Sequence, residues 1–280
     1  MNKRSLMVKI ASAPHVVWSV LFIVAPLLFV IYYALTDADG NFTLQNLGAL
    51  GEHSGTFFLS VSLSLIATVI CVLIGYPMAY FISRAKPKNR KILLTAAMIP
   101  MWINLLIRTY SMMALLDDGG LINVVLDFFF GNDPEKLETF FKFVGTKGAV
   151  IFGMVYDFLP YMIVPIYTVM SKLDPRLLEA AQDLGCNNVE VMTKVVLPLT
   201  RSGIISGITM VFVPSISTFY ISQKLGGGTF ELIGDTIERQ FANPLTYNVG
   251  AAISLVMMIL ILISMAIMNH FSEDEGRIMP

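Results

Sequence analysis

"EAAQDLGCNNVEVMTKVVLP", residues 179–198, is a polar, helix-prone stretch set between two long apolar runs. Its residues prescribe a helix, a turn and a second helix. Upstream, Asp174 is a residue type whose carboxylate accepts from the free amides of a helix start. Pro175 suits the first helical position, where a missing N–H costs nothing, and Arg176 to Leu184 contains strong helix formers. Leu177, Leu178, Ala181 and Leu184 form one apolar stripe. Gly185 fits the position after a helix that requires left-handed backbone, where a side chain would clash. Asn187 or Asn188 can cap a second helix through Val189 to Val196, which Pro198 helps to end. Such a hairpin is either an interfacial connector or a docking element. Ala180 and Ala181 let another backbone or an aromatic side chain come close, and Glu179 supplies a charge beside them.

The sequence around this stretch excludes an ordinary soluble domain, because 55% of the 280 residues are apolar, 14% are charged and mean hydropathy is +0.70. A helix rises about 1.5 Å per residue and must cross about 30 Å of hydrocarbon, so a span needs roughly 20 apolar residues. Six runs qualify, at about 17–35, 57–82, 92–116, 148–170, 201–221 and 249–270, with a connection at about 171–200. Period-2 alternation is absent, so these are helices and not barrel strands. The expected fold is all-α and polytopic, a single domain over 1–280. The first run follows Lys3, Arg4 and Lys9 like a signal peptide, but its length and the lack of a small-residue cleavage site favour an uncleaved span. Cys71 and Cys186 stand in no disulfide or zinc spacing.

Basic residues give a direction. Thirteen of the 19 lie at the N-terminus, the second-to-third connection (Arg84, Lys86, Lys88, Arg90, Lys91), the 171–201 connection (Lys172, Arg176, Lys194, Arg201) and the tail (Arg277). The opposite connections hold five, Lys136, Lys142, Lys147, Lys224 and Arg239. Both termini and the hairpin are therefore expected in the cytoplasm. The outer connections carry acids, among them Asp37, Asp39, Glu52, Asp117, Asp118, Asp127, Asp133, Glu135 and Glu138, which read as solvated surface or as a weak attraction for cations. In the last outer connection Phe230, Ile233, Ile237 and Phe241 recur at helical spacing opposite Glu231, Asp235 and Glu238. That pattern predicts a short helix lying at the interface or gating the outer mouth, entered through a flexible Gly226–Gly228 run.

Two ionisable residues fall inside spans, Arg108 and Asp157, and such groups are functional candidates because a charge at mid-bilayer costs about 2.5–3.5 kcal/mol. Asp157 is a candidate cation ligand with Tyr161 one turn on, and Trp102 and Tyr110 offer cation–π faces. Arg108 has the wrong sign for a cation. The competing reading pairs Asp157 with Arg108 or with a partner chain, leaving Trp102 and Tyr110 as interface anchors. Gly203 and Gly207 in the fifth run permit close helix packing, and Pro214 frees a carbonyl that must be satisfied within protein. His15, His53 and His270 have no ligand-like spacing, no metal site is predicted, and no nucleophile, base and orienting group assemble into a catalytic set. The net charge of −1 offers no field for nucleic acid.

Glu179-Ala180-Ala181, three residues, Gly185, nine residues and then Val195-x-Leu197-Pro198 resemble the cytoplasmic "EAA" loop of the permease subunits of bacterial ABC importers, with Val where Ile is common. "IPMWINLLIRTY" (99–110), "VYDFLPYMIVPIY" (155–167), "LPLTRSGIISG" (197–207) and "ISTFYISQKLGGG" (216–228) extend the resemblance to the family's spermidine/putrescine branch. The resemblance implies a type I ABC importer permease fold in the inner membrane of a bacterium. It implies a second, similar permease, two cytoplasmic ATPase subunits that bind ATP and Mg²⁺, and an external polyamine-binding protein. This chain would bind no cofactor. Glu179, Ala180, Ala181, Gly185, Leu197 and Pro198 would couple it to the ATPase. An importer of another solute and an ion-coupled carrier are the alternatives; a carrier calls for more internal acids and a repeat, and neither is visible.

Overall fold

Apolar runs that must bond their backbone internally fold as helices, and thirteen are followed here through a computed structural model that describes residues 13–37, 39–130 and 142–273. They are α1 (Ala13–Ala34), α2 (Gln45–Glu52), α3 (Ser54–Arg84), α4 (Pro87–Trp102), α5 (Leu105–Leu116), α6 (Leu121–Phe130) and α7 (Lys147–Met170). After them come α8 (Pro175–Asp183), α9 (Asn188–Leu199), α10 (Arg201–Ser217), α11 (Tyr220–Leu225), α12 (Ile233–Ala242) and α13 (Tyr247–Glu273). The charges at Lys3, Arg4, Lys9, Asp133, Glu135, Lys136, Glu138 and Arg277 lie outside the described residues.

Among the described residues, four helices are long and apolar enough to cross a bilayer alone, and up to six segments qualify when each bent pair counts as one span. The difference lies in the third and fifth runs. The expected continuous helix at 92–116 is broken: α4 stops at Trp102, Ile103 and Asn104 are extended, and the chain resumes in α5 at 92° to its former course. Asn104 makes the break tolerable by accepting from the Leu106 amide at 2.8 Å. The fifth run ends at Ser217 rather than near 221, with Thr218 extended before α11 begins. Hydropathy averaged over a span registers neither break, because Ile103 and Phe219 are themselves apolar and the polar residues beside them, Asn104 and Thr218, are too few to lower it.

Prolines explain two local widenings. At Val20–Val24 and Met192–Val196 the helix opens by one residue per turn, with Ala25 donating to Val20 and Leu197 to Met192. Each widened turn ends two residues before a proline, Pro26 and Pro198. A proline has no N–H and its ring crowds the carbonyl four residues back, so the wider turn removes both conflicts.

Two compact units divide the chain, Gly55–Asp235 with Leu262–Pro280, and Met1–Ser54 with Thr236–Ile261. In the larger, α7 is the central helix. One side of its length packs with Cys71, Ala79, Ile82 and Val211, and its other end with Leu63, Ala67, Met112, Ile221 and Leu225. Small residues set the separation from α10, since a Cβ on Gly203 would stand 3.0 Å from the Pro165 carbonyl and 3.1 Å from Ile166 Cα. In the smaller unit, Ala34, Ala251 and Ala252 pack with Tyr33, Leu47, Phe241 and Leu255. There Asn46 and Asn248 donate to the Thr36 carbonyl at 2.8 and 2.6 Å, closing the end of α1.

The segment before α12 departs from the expected surface helix. Leu232 and Ile233 are fully buried, and Asp235, expected on the polar face, is buried too. Asp235 accepts from the Leu232 amide at 2.7 Å and from the Ser222 hydroxyl at 2.9 Å, while Ser60 accepts from the Ile233 amide at 2.7 Å. The carboxylate is thus spent on capping inside protein, which spacing alone does not reveal. The glycine run is also no loose entry: Gly227 and Gly228 adopt left-handed backbone, and Gly145 donates to the Leu225 carbonyl at 2.8 Å alongside.

Close packing at Gly203 makes Gly203→Val lower stability by about 1–3 kcal/mol through overpacking. Gly48→Ala, in α2 with nothing within 4 Å of the new Cβ, is neutral or gains about 0.5–1 kcal/mol. Thermal unfolding of the two variants in the same detergent checks both.

Candidate functional site

The 171–200 connection builds a rigid knuckle from local chemistry. Asp174 accepts from the Arg176 amide at 3.0 Å and Pro175 opens α8. The helix ends with Gly185 at φ +87°, Gly185 donating to the Gln182 carbonyl at 2.8 Å and Cys186 to the Ala181 carbonyl at 3.1 Å. These paired bonds satisfy the last carbonyls and require the left-handed glycine between them. Asn187 begins α9 with reciprocal bonds: its side chain accepts from the Glu190 amide at 2.9 Å, and Glu190 accepts from the Asn187 amide at 3.0 Å. Lys194 lies 2.8 Å from Glu190 one turn on. Of the two candidate caps, Asn187 therefore holds the position.

The predicted apolar stripe splits into two. Leu178 and Ala181 turn inward and pack with Val191, Val196 and the lower part of α7. Leu177, Ala180, Leu184 and Val189 face away, with Leu184 85% and Val189 70% exposed. Ala180 and Ala181 thus do different things: Ala181 seats the knuckle on the membrane helices, and Ala180 belongs to its outer face with Glu179. Leu197 is exposed and Pro198 half-buried in the last turn of α9. At the corner, buried Thr200 donates to the Val196 carbonyl at 2.8 Å and its hydroxyl lies 3.2 Å from Tyr76 of α3, where α9 turns 68° into α10.

The candidate path residues have different partners. Asp157, fully buried in α7, lies 3.0 Å from Nη1 of Arg108 in α5, which is 8% exposed. Each charge offsets the other, so Asp157 meets its counter-ion within the chain. The contact is off hydrogen-bond geometry: Nε and Nη1 of Arg108 and both carboxylate oxygens have no hydrogen-bond partner among the described residues. Arg108 also lines a cavity of about 350 Å³ with Ile103, Ile107, Ser111, Phe152 and Tyr156. Tyr161 is half-exposed near Phe158, and Trp102 is 72% exposed at the end of α4, just before the break.

Tyr110 instead belongs to a group with two residues that the sequence pattern did not single out. Its ring meets Tyr220 of α11 edge-on at 6.0 Å, and the Lys224 ammonium stands 5.1 Å from one ring centroid and 5.8 Å from the other. Two tyrosine faces here hold a primary alkylammonium, an arrangement worth about 0.5–2 kcal/mol. The available signal was the four-residue spacing of Tyr220 and Lys224, which puts both on one helix face.

Known proteins share this organisation. The spermidine/putrescine transport system permease protein PotB of Haemophilus influenzae is 38% identical over 251 residues, covering 87% of this chain and 86% of the relative. The protein of that name from Escherichia coli K12 is 36% identical over 250 residues, covering 86% and 89%. Among solved structures, a bacterial ABC transporter involved in the import of the acidic polysaccharide alginate has a chain that matches with a TM-score of 0.74 at 18% identity, covering 97% and 96% of the two chains, a likeness of fold. The model of the binding-protein-dependent transport system inner membrane component family matches residues 71–274, which contain the knuckle and four of the six spanning segments, and this chain belongs to that family.

Proposed function

We propose that this multi-pass permease moves polyamines of the spermidine/putrescine class into the cell by alternating access, driven by separate ATPase subunits. The cargo reading is carried by the relatives named for spermidine/putrescine transport, which align over most of both chains. The Tyr110–Tyr220 pair supports it, because its faces already accept an alkylammonium, the group a polyamine presents at each end. In this reading Trp102, Tyr110 and Tyr161 border the path with Tyr220, and Asp157 acts through its pairing with Arg108.

The complex comprises a second, homologous permease, two cytoplasmic ATPase subunits that bind ATP and Mg²⁺, and an external polyamine-binding protein. The basic side of the sequence, both termini and the knuckle face the cytoplasm. Glu179, Ala180 and the exposed Leu177, Leu184 and Val189 enter a groove of the ATPase, while Ala181 and Gly185 fix the knuckle's shape and Leu197 and Pro198 its joint with α10. An apolar face exposed on a well-capped turn supports this role, since the caps fix the turn's shape from within and nothing local accounts for holding Leu177, Leu184 and Val189 in water.

Vesicles holding the full complex accumulate spermidine only with ATP, and vesicles holding this chain alone accumulate none under any ion gradient; uptake by the chain alone refutes the reading. Gly185→Val strains the left-handed position by about 1–2 kcal/mol and lowers ATP-driven uptake at least tenfold while the chain still inserts and folds. Gly185→Asn, which tolerates that backbone, retains most of it.

Asp157→Asn leaves Arg108 buried without a counter-charge and lowers stability by about 3–5 kcal/mol, read by thermal unfolding. Arg108→Met with Asp157→Leu recovers the fold; uptake that recovers with it makes the pair structural, whereas a folded and inactive double variant makes Asp157 a cargo ligand. Tyr110→Leu and Tyr220→Leu each raise the KM for uptake about threefold to thirtyfold with little change in stability, the range of one cation–π contact.

A further inference from the structure

The corner between α3 and α4 gathers Arg84, Lys86, Lys88, Arg90 and Lys91 within eight residues, and no Asp or Glu occurs between Glu52 and Asp117. None of the five forms an ion pair among the described residues. Arg84, Lys86, Lys88 and Lys91 are exposed. Arg90 is fixed: its Nη2 donates to the Ser83 carbonyl at 2.8 Å, tying the start of α4 to the end of α3, and its Nε is buried without a hydrogen-bond partner. The Arg84 guanidinium sits 5.5 Å over the Tyr80 ring.

Cations at this place oppose the local field. A helix start carries partial positive charge and favours anions, yet the first turn of α4 holds Lys88 and Arg90 and no acid, and Lys86 gives it no side-chain cap. An anion set here relieves both the mutual repulsion and the uncapped start. Directly beside the cations the surface turns apolar, with Phe81 before them and Ile92 and Leu93 after them all exposed. A cationic collar on an exposed apolar band is the profile of a headgroup layer over acyl chains. A free phosphate ion has no use for the apolar band.

We propose that this corner binds the phosphate headgroup of anionic phospholipid in the inner leaflet, and so anchors the inner end of the broken third span. The leaflet assignment rests on the orientation proposed above; the binding itself does not.

The full-length chain is reconstituted in phosphatidylcholine vesicles containing spin-labelled phosphatidylglycerol or spin-labelled phosphatidylcholine, and the motionally restricted fraction gives their relative association. One engaged charge corresponds to about a fivefold preference, so phosphatidylglycerol is favoured at least fivefold. Lys86→Gln with Lys88→Gln and Lys91→Gln brings the preference below twofold with unchanged thermal unfolding, because Arg90 still holds the corner. Lys142→Gln with Lys147→Gln, on the opposite side, keeps it. No preference in the unaltered chain, its survival in the triple variant or its loss in the control each overturns the proposal. Abolition by 10 mM inorganic phosphate overturns it as well, since the corner then reads the free ion. A triple variant that keeps the lipid preference but no longer copurifies with the ATPase subunits makes the corner a protein contact and equally overturns it. Lys88→Cys in a chain with Cys71→Ser and Cys186→Ser tests the leaflet separately: labelling by an impermeant maleimide from outside intact cells overturns the inner assignment whatever the vesicles give, and protection supports it.

Discussion

Hydrocarbon offers no hydrogen bonds, so every interruption of a helix in this chain must find partners for the amides and carbonyls it releases. That constraint accounts for where the polar side chains sit. Asn104 caps α5 at the break in the third segment, Thr200 returns its hydroxyl to the Val196 carbonyl at the corner before α10, and Ser60 and Asp235 take the amides of Ile233 and Leu232 before α12. The two wide turns before Pro26 and Pro198 solve the same problem without a side chain. Each break is thereby a fixed joint and not a slack point, which a transporter needs if helices are to move as bodies.

Charge obeys the same logic at higher cost. Arg108 and Asp157 are both buried, and each is tolerable only because the other is 3.0 Å away. Their remaining donors and acceptors have no partner among the described residues, and the cavity beside Arg108 has room for a water molecule that can complete the pair. Lys224 follows another course. It places its ammonium over two tyrosine rings, with no carboxylate beside it in the contacts described, so in the proposed path a cargo ammonium takes these rings by displacing the lysine.

How much of this the sequence discloses depends on the range of the interaction. The knuckle was legible almost residue by residue, because Asp174, Pro175, Gly185 and Asn187 act on backbone groups within five positions of themselves. Spans were legible as apolar runs, but the 92° break was not, since Ile103 and Asn104 interrupt a helix whose hydropathy continues on both sides. The different orientations of Ala180 and Ala181 were hidden for a related reason: either can lie on the apolar side of a short helix, and only packing against Val191 and Val196 decides. The short helix was legible from its spacing, but the burial of Asp235 was not, because the groups it accepts from include Ser222, thirteen residues away, and a backbone amide. Tyr110 and Tyr220 meet across more than a hundred residues, a distance that no periodicity spans.

For the proposed coupling, what braces the knuckle from behind decides whether a push on it is passed on. A force on Leu184 or Val189 would be lost if α8 and α9 could pivot separately, but Gly185 and Asn187 close the turn with bonds on both sides, and Ala181, Val191 and Val196 wedge both helices against α7. Beyond them Thr200 meets Tyr76, so the corner is tied to α3 as well as to α10. In that proposal, displacement of the outer face would be delivered to three spanning helices together. Gly203 and Gly207 would pass it on, because the close approach of α10 to α7 leaves little gap to absorb a motion.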